Sequence, residues 1–291
     1  MTGAKMRESI CTGVSMEPFF SIVVVSLNAG ARLPGTLESI LCQRFQDYEI
    51  IIKDGGSTDG SLDALPADDR IRLFISADSG IYDAMNGAVR EARGRYLYFL
   101  NCGDLLYDGE VLGRVQEGIV RKEQELSRPA AQNAVYYGDV YERTSRQIAA
   151  ANPVMDDFAC YRNLPCHQAC FYSRGLFAAR GFDTALRVRA DYEHFLYCKY
   201  KACARLEYLP LVIARYEGGG FSETKENRRI SRREHRAVTA RYLPRGKRLL
   251  FRVYLIVTLQ PLREKLAHGR TTAALYNRIK SGLYRRGREG S

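Results

Sequence analysis

At 291 residues, with 46% hydrophobic content and no tryptophan, the chain is long enough for one large α/β domain with an appendage, or for two small domains, and apolar enough for a real core. No run reaches the roughly 20 apolar residues of a membrane-spanning helix, and residues 1–18, polar and of mixed charge, lack the apolar centre of a signal peptide, so they are read as a disordered leader. The net charge of +11 is concentrated: residues 225–291 hold 19 Lys and Arg against 4 Asp and Glu, or +15, leaving −4 for residues 1–224, the balance of a mildly acidic body with a surface-attaching basic tail.

Residues 20–27 form a largely β-branched run, apolar over 22–25 and flanked there by Ser21 and Ser26, which predicts a buried parallel strand. Asn28-Ala-Gly30 turns the chain, and Leu33, Leu37, Ile40 and Leu41 then recur at helical spacing. A second strand is predicted over 48–52, ending at Lys53-Asp54, after which Ser57 and Asp59 offer caps for a short helix near Leu62. A third strand follows over 71–75, a helix over 81–92 that stops near Gly94, a fourth strand over 96–100 and a helix over 111–125. Such alternation builds a parallel sheet with helices on both faces. Ligands on these sheets bind beyond the C-terminal strand ends, so Asn28, Asp54, Asp78 and residues 101–104 are expected along one edge.

Beyond residue 130 the rhythm changes. Strands are predicted over 134–141, 167–172 and 209–216, a short helix over 174–179 ended by Gly181, a helix over 191–200, and a loop at Gly218-Gly-Gly220. From about Arg228 the chain reads as helical and basic.

Three acidic stretches can carry chemistry. In Asp54-Gly55-Gly56 a strand-end carboxylate can accept the N3–H of uracil or an equivalent edge, with glycines letting the ligand approach; the same residues can form a capping turn with no ligand. Asn101-Cys-Gly-Asp104 offers hard oxygen donors to Mg²⁺ or Mn²⁺ against a diphosphate, or a polar turn closing a buried strand. Asp191-Tyr-Glu193 opens a helix, where Asp191 is a candidate general base and where acids also complement the helix dipole. His167-Gln168 precedes an apolar strand, and a lone histidine there is more often structural than catalytic. Gly218-Gly-Gly220-Phe-Ser222 reads as a lid over a nucleotide or as a loose linker.

Of the eight cysteines (Cys11, Cys42, Cys102, Cys160, Cys166, Cys170, Cys198 and Cys203), Cys160, Cys166 and Cys170 are close enough in sequence to suggest a metal cluster, but no Cys-x-x-Cys pair accompanies them. Buried, reduced thiols are the better reading and favour the cytosol. Residues 249–259 are nearly all apolar, interrupted by Arg252 and flanked by Arg241, Arg245, Lys247, Arg248, Arg263 and Lys265. Residues 241–265 therefore suit the headgroup layer of an anionic membrane, or else cover the domain's own surface. A nucleic-acid partner is not expected, because the basic tail carries no recognised binding motif. No G-x-G-x-x-G follows the first strand and no Walker A sequence is present, which argues against a dehydrogenase or a P-loop enzyme.

Taken in order, Ser21-Ile-Val-Val-Val-Ser-Leu-Asn28, Asp54-Gly-Gly-Ser-Thr-Asp-Gly60, Ser79-Gly-Ile-Tyr-Asp-Ala-Met-Asn86, Phe99-Leu-Asn-Cys-Gly-Asp104, His167-Gln168, Ala190-Asp-Tyr-Glu193 and Gly218-Gly-Gly-Phe-Ser222 resemble the family 2 glycosyltransferases over about residues 18–224. The Gly-Ile-Tyr-Asp-Ala-Met-Asn and Leu-Asn-x-Gly-Asp pieces are similar to the branch that builds bacterial O-antigen, colanic acid and capsule. The resemblance implies a GT-A fold, a Rossmann-like mixed sheet flanked by helices, over 19–224, with a basic amphipathic helical tail over 225–291. It implies a hexosyltransferase-type enzyme that takes a sugar from a nucleotide-diphosphate donor, by family habit uridine, and passes it with inversion to a saccharide acceptor carried on a polyprenyl diphosphate. It assigns Asp191 as catalytic base, Asp54 to the nucleotide base, and Ser26, Asn28, Gly55, Ser79, Asp83, Asn86 and Asn101 to the donor. Asp104 takes the metal, Mg²⁺ or Mn²⁺, while His167, Gln168, Glu193, Gly219 and Ser222 fall to the acceptor or a lid. The implied location is cytoplasmic, peripheral at the inner face of the cytoplasmic membrane. The chain departs from the family at Asn101 and Gly103, where many relatives carry aspartates. That departure keeps open a relative that binds nucleotide sugar without transferring it.

Overall fold

The computed structural model describes residues 17–125, 133–216 and 224–258; the predicted leader falls almost wholly outside them, as do Gly219 and Ser222. Four parallel strands form one half of the sheet: β1 (Phe20–Ser26), β2 (Tyr48–Asp54), β3 (Ile71–Ile75) and β4 (Tyr96–Phe99), in the order β3-β2-β1-β4. Beyond β4 the sheet continues through β8 (Cys170–Ser173), β6 (Ala134–Glu142) and β9 (Arg205–Tyr216) to β5 (Leu105–Leu106), with β7 (Gln147–Ala149) paired to β6. Strand β8 is antiparallel to both neighbours and β9 is parallel to β6, so the second half is mixed.

Helices cover both faces. Val23, Val25, Ile51 and Leu97 point to the side packed by α2 (Ile81–Glu91), α4 (Asp157–Arg162), α5 (Gly175–Ala179) and α6 (Ala190–Tyr200). Phe20, Ile22, Val24, Ile50 and Ile52 point to the side of α1 (Arg32–Leu41) and α3 (Val111–Gln124). This alternation explains why β1 and β2 are buried at every position and why their centres, 22–25 and 50–52, read as unbroken apolar runs. Each fully buried Val or Ile there contributes about 1.5–3 kcal/mol.

Three elements differ from the expectation. No helix forms near Leu62. Asp59 instead accepts from Gly30 N–H at 2.8 Å and from Ser61 N–H at 3.0 Å, tying two loops together. Residues 167–172 split into a 3₁₀ turn (His167–Ala169) and β8, because the turn places Gln168 inward at the sheet edge. The C-terminal region is not an appendage throughout. Helix α7 (Lys225–Tyr242) packs against α6, with Val238 fully buried and Glu234 only 5% exposed. Helix α8 (Arg245–Val257) touches the body at α4, where Phe251 and Tyr254 meet Phe158.

Candidate active site

Strands β1 and β2 end level, with Ser26 paired to Asp54, and β4 ends beside them. The loops that leave these ends are laced to one another. Asn28, held at φ 48°, donates its N–H to Ser57 Oγ at 2.8 Å and accepts from Thr58 N–H at 3.0 Å. Asp54 is fully buried, and its carboxylate accepts from Gly56 N–H (2.8 Å), Ser57 N–H (2.6 Å) and Ser57 Oγ (2.6 Å). Burial works against its ionisation, but the Ser57 and Gly56 donors outweigh it and hold the carboxyl below its usual range. Asp54 therefore shapes the turn and presents no exposed carboxylate. Gly55 lies close to Asp78, whose carboxylate is 3.7 Å from the buried Lys53 ammonium.

The first turn of α2 is closed by Asp83, which accepts from Ser79 N–H at 2.9 Å and Ser79 Oγ at 3.0 Å. Gly80 enters the helix at φ 145°, a conformation that favours glycine. The expectation that Asn86 touches the donor meets a different partner: its amide donates to Phe182 O (2.9 Å) and accepts from Phe182 N–H (2.8 Å). A side chain on Gly181 would come within 2.5 Å of that amide, so Asn86 fastens the 181–182 loop to α2.

Past β4, Asp104 is 6% exposed and accepts from Gln168 Nε2 at 2.7 Å. Its backbone is fixed as well, by Thr36 Oγ1 donating to Asp104 O at 3.0 Å. Gln168, expected at the acceptor or lid, is buried and braces this carboxylate; its own Oε1 takes Cys166 Sγ at 2.9 Å. Two buried oxygens at the same edge, Asn101 Oδ1 and Ser26 Oγ, have no hydrogen-bond partner. The Cys102 thiol is pushed up to about 11, mainly by burial, with the Asp54 and Asp104 carboxylates adding to the shift against Arg32.

Asp191 opens α6. Its Oδ1 accepts from Tyr82 OH at 3.0 Å and from Tyr192 N–H at 2.8 Å. The 166–168 turn is near both carboxylates: the Cys166 thiol is pushed up to about 12, chiefly by burial, with the Asp104 and Asp191 charges contributing to that rise. Beside it, His167 packs on Phe99 at 5.1 Å with both ring nitrogens buried and unpartnered. Burial lowers its pKa while Asp191 opposes the shift. The structure thus brings Asp104, Gln168, His167 and Asp191 to one edge, with Asn101, Ser26 and the Asp54 turn alongside.

Glu193 is a correction to the expected acceptor or lid role. Its carboxylate is fully buried and bound to Arg180 at 2.8 Å, with Tyr242 OH donating to it, because the side chain points into the α5–α6–α7 junction. The residues that sequence reasoning passed over are Tyr82 and Glu234. Glu234 accepts the backbone N–H groups of Arg187 (2.8 Å), Val188 (3.0 Å) and Arg189 (2.9 Å), just ahead of Asp191. Tyr82 lies inside the Gly80-Ile-Tyr-Asp83 piece, but nothing in the sequence marks its partner 109 residues away.

All seven described cysteines are free, with Cys160, Cys170 and Cys198 buried and Cys42 and Cys203 exposed. Among the described residues no group of three or more His, Cys, Asp or Glu can hold a metal ion. The hard donors that fit a divalent cation of low protein ligand count are the Asp104 carboxylate and the orphaned Asn101 carbonyl oxygen.

The model of the family Glycosyl transferase family 2 matches residues 21–178. The chain belongs to this family. It is similar to a Mycobacterium bovis protein named PGL/p-HBAD biosynthesis glycosyltransferase, at 34% identity over 247 residues, 82% of this chain and 90% of that one. Glycosyl transfer is accordingly its activity. Among solved structures it resembles S. aureus TarS 1–349 in complex with UDP-GlcNAc, with a TM-score of 0.59 at 16% identity, covering 87% of this chain and 74% of that one. It spans 44% of the longer S. aureus TarS structure. A Pyrobaculum calidifontis mannosyltransferase in complex with GDP-Man and Mn²⁺ gives a TM-score of 0.58 at 18% identity, covering 92% and 82%. These likenesses show the GT-A arrangement of the family 2 glycosyltransferase.

Proposed function

We propose that this family 2 enzyme moves a hexosyl group, with inversion, from a nucleoside diphosphate sugar to a hydroxyl of a saccharide acceptor. What supports the reading is that Asp104, hydrogen-bonded to Gln168, and Asp191, whose charge acts on His167 and Cys166, both adjoin the residue 166–168 turn. Asp191 takes the proton of the acceptor hydroxyl. The acceptor oxygen forms a bond to the anomeric carbon as the bond to the diphosphate oxygen breaks on the opposite face. No covalent intermediate is required. Asp104 and Asn101 would hold Mg²⁺ or Mn²⁺, which when bound offsets the charge developing on the departing diphosphate. The turn braced by Asp54, with Ser26, Asn28 and Gly55, lines the nucleoside end. Ser79, exposed, and Asp83, partly exposed, stand at the mouth of α2 on the donor side.

Uridine is the base favoured by family habit, and the UDP-GlcNAc complex of S. aureus TarS is in keeping with it. The O-antigen, colanic-acid or capsule assignment is supported by the motif resemblance. A lipid-linked acceptor is supported by α8, which carries Arg245, Lys247, Arg248 and Arg252, no acid, and an exposed aliphatic face. Such a helix suits the anionic inner face of the cytoplasmic membrane, where a polyprenyl-diphosphate acceptor resides. No described helix is long and apolar enough to cross a membrane.

The test is a thermal-shift screen of nucleotide sugars with Mn²⁺ or Mg²⁺, followed by measurement of nucleoside diphosphate release. A donor that raises Tm only with metal and releases diphosphate on adding acceptor supports the reading. Donor binding with no release under any acceptor would favour a non-catalytic binder.

A further inference from the structure

The geometry points to Tyr82 as the positioning residue that decides which oxygen of Asp191 takes the proton. The inference deepens the reading of Asp191 as base and rests on it. Tyr82 stands in the first turn of α2, its ring 5.5 Å from that of Phe182. Its hydroxyl is 2.9 Å from Val188 O and 3.0 Å from Asp191 Oδ1. A phenol has one proton, so it donates to one of these oxygens at a time.

Tyr82 stays protonated in this setting. Burial raises its pKa well above the ordinary value and the Asp191 carboxylate raises it further. It serves as a donor to the base and never as the base. Asp191 Oδ1 therefore receives two donors, the Tyr82 hydroxyl and the Tyr192 N–H at 2.8 Å. Both fall on the same oxygen, which leaves Oδ2 to accept the proton of the acceptor hydroxyl. In that step the acceptor O–H bond breaks and an Oδ2–H bond forms, while the acceptor oxygen bonds to the anomeric carbon and the diphosphate leaves with the electron pair. As negative charge leaves the carboxylate, the Tyr82 proton can turn to Val188 O.

The alternative acceptor is held still. Glu234 takes the N–H groups of Arg187, Val188 and Arg189, and Ser231 Oγ accepts from Arg189 Nε at 2.8 Å. Helix α7 thus fixes the backbone that Tyr82 reaches, and α2 carries the hydroxyl, so two helices distant in sequence set the orientation of the carboxylate on a third.

Tyr82→Phe in the full chain tests this, because it removes the hydroxyl and keeps the ring packed on Phe182. The expected result is a kcat lower by on the order of 10- to 100-fold, as for a misplaced reacting group. Donor KM, the donor-induced Tm shift and the Tm of the free protein should stay at wild-type values. Wild-type kcat in Tyr82→Phe would overturn the inference. So would a parallel loss of donor binding and Tm, which would make Tyr82 merely structural. Retained turnover in Asp191→Asn alone would instead overturn the assignment of the base, whatever Tyr82→Phe does.

Discussion

Gln168 Nε2 donates to Asp104 Oδ2 at 2.7 Å, joining residues 64 positions apart across the ends of β4 and β8. The bond orients the carboxylate proposed to hold a divalent cation, and Gln168 is itself fixed by Cys166 Sγ. Gln168→Leu removes one buried hydrogen bond to that carboxylate, so metal-dependent donor binding should weaken, by about 1–3 kcal/mol for a charged group that loses a buried hydrogen bond. Asp104→Ala should weaken it further. Titration of donor in the presence and absence of Mn²⁺ checks both. Unchanged metal dependence in Asp104→Ala would remove it from the site.

The outward face of α8 carries Leu249, Leu250, Val253, Ile256 and Val257, each between 48 and 72% exposed, with Arg245 and Arg252 beside them. Replacing Leu250, Val253 and Val257 together by Ser should abolish sedimentation with vesicles containing anionic lipid and leave turnover on a soluble acceptor intact. Each basic residue near such a surface contributes about 1 kcal/mol, so binding should also fall with salt. Equal sedimentation of the triple variant would show that this face is not the anchor.

Burial lowers the pKa of His194 to about 3, with Arg180 and His167 adding to the shift, and its ring stacks on Phe177 at 4.1 Å. The unfolded chain binds this proton near pH 6.5 and the folded chain does not until about pH 3. The unfolded state therefore holds more protons between those values, so stability rises with pH across the window and is lost as pH falls through it. Between pH 7 and pH 5 this group should account for up to about 2 kcal/mol. Urea midpoints of the wild type should drop more over that interval than those of His194→Phe. Equal slopes in the two proteins would contradict the assignment.

The parallel half of the fold was legible because β1 and β2 are buried on both faces and have apolar centres, 22–25 and 50–52. The strand-end positions of Asp54 and Asp104 followed from β2 and from the apolar run of β4. What the sequence did not disclose is how each polar side chain is used. Asp54, Asn86, Gln168 and Glu193 look alike as exposed-type polar residues, yet each is spent on a backbone or side-chain partner 2 to 96 positions away. Composition and periodicity report which face a residue takes and say nothing about such pairings. The same holds for α7: its charge marked a tail, but a few buried positions, Val238 and Glu234 among them, decide that it belongs to the body.

The central claim is that Asp104 and Asp191 serve one cleft in separate roles, one holding the donor and the other taking the acceptor proton. The direct measurement is donor affinity and turnover of Asp191→Asn, side by side with the wild type in Mn²⁺. The account predicts donor affinity within about twofold of wild type, a change under 0.5 kcal/mol, and turnover reduced to background. Retained turnover, or donor affinity lost in step with turnover, would contradict it.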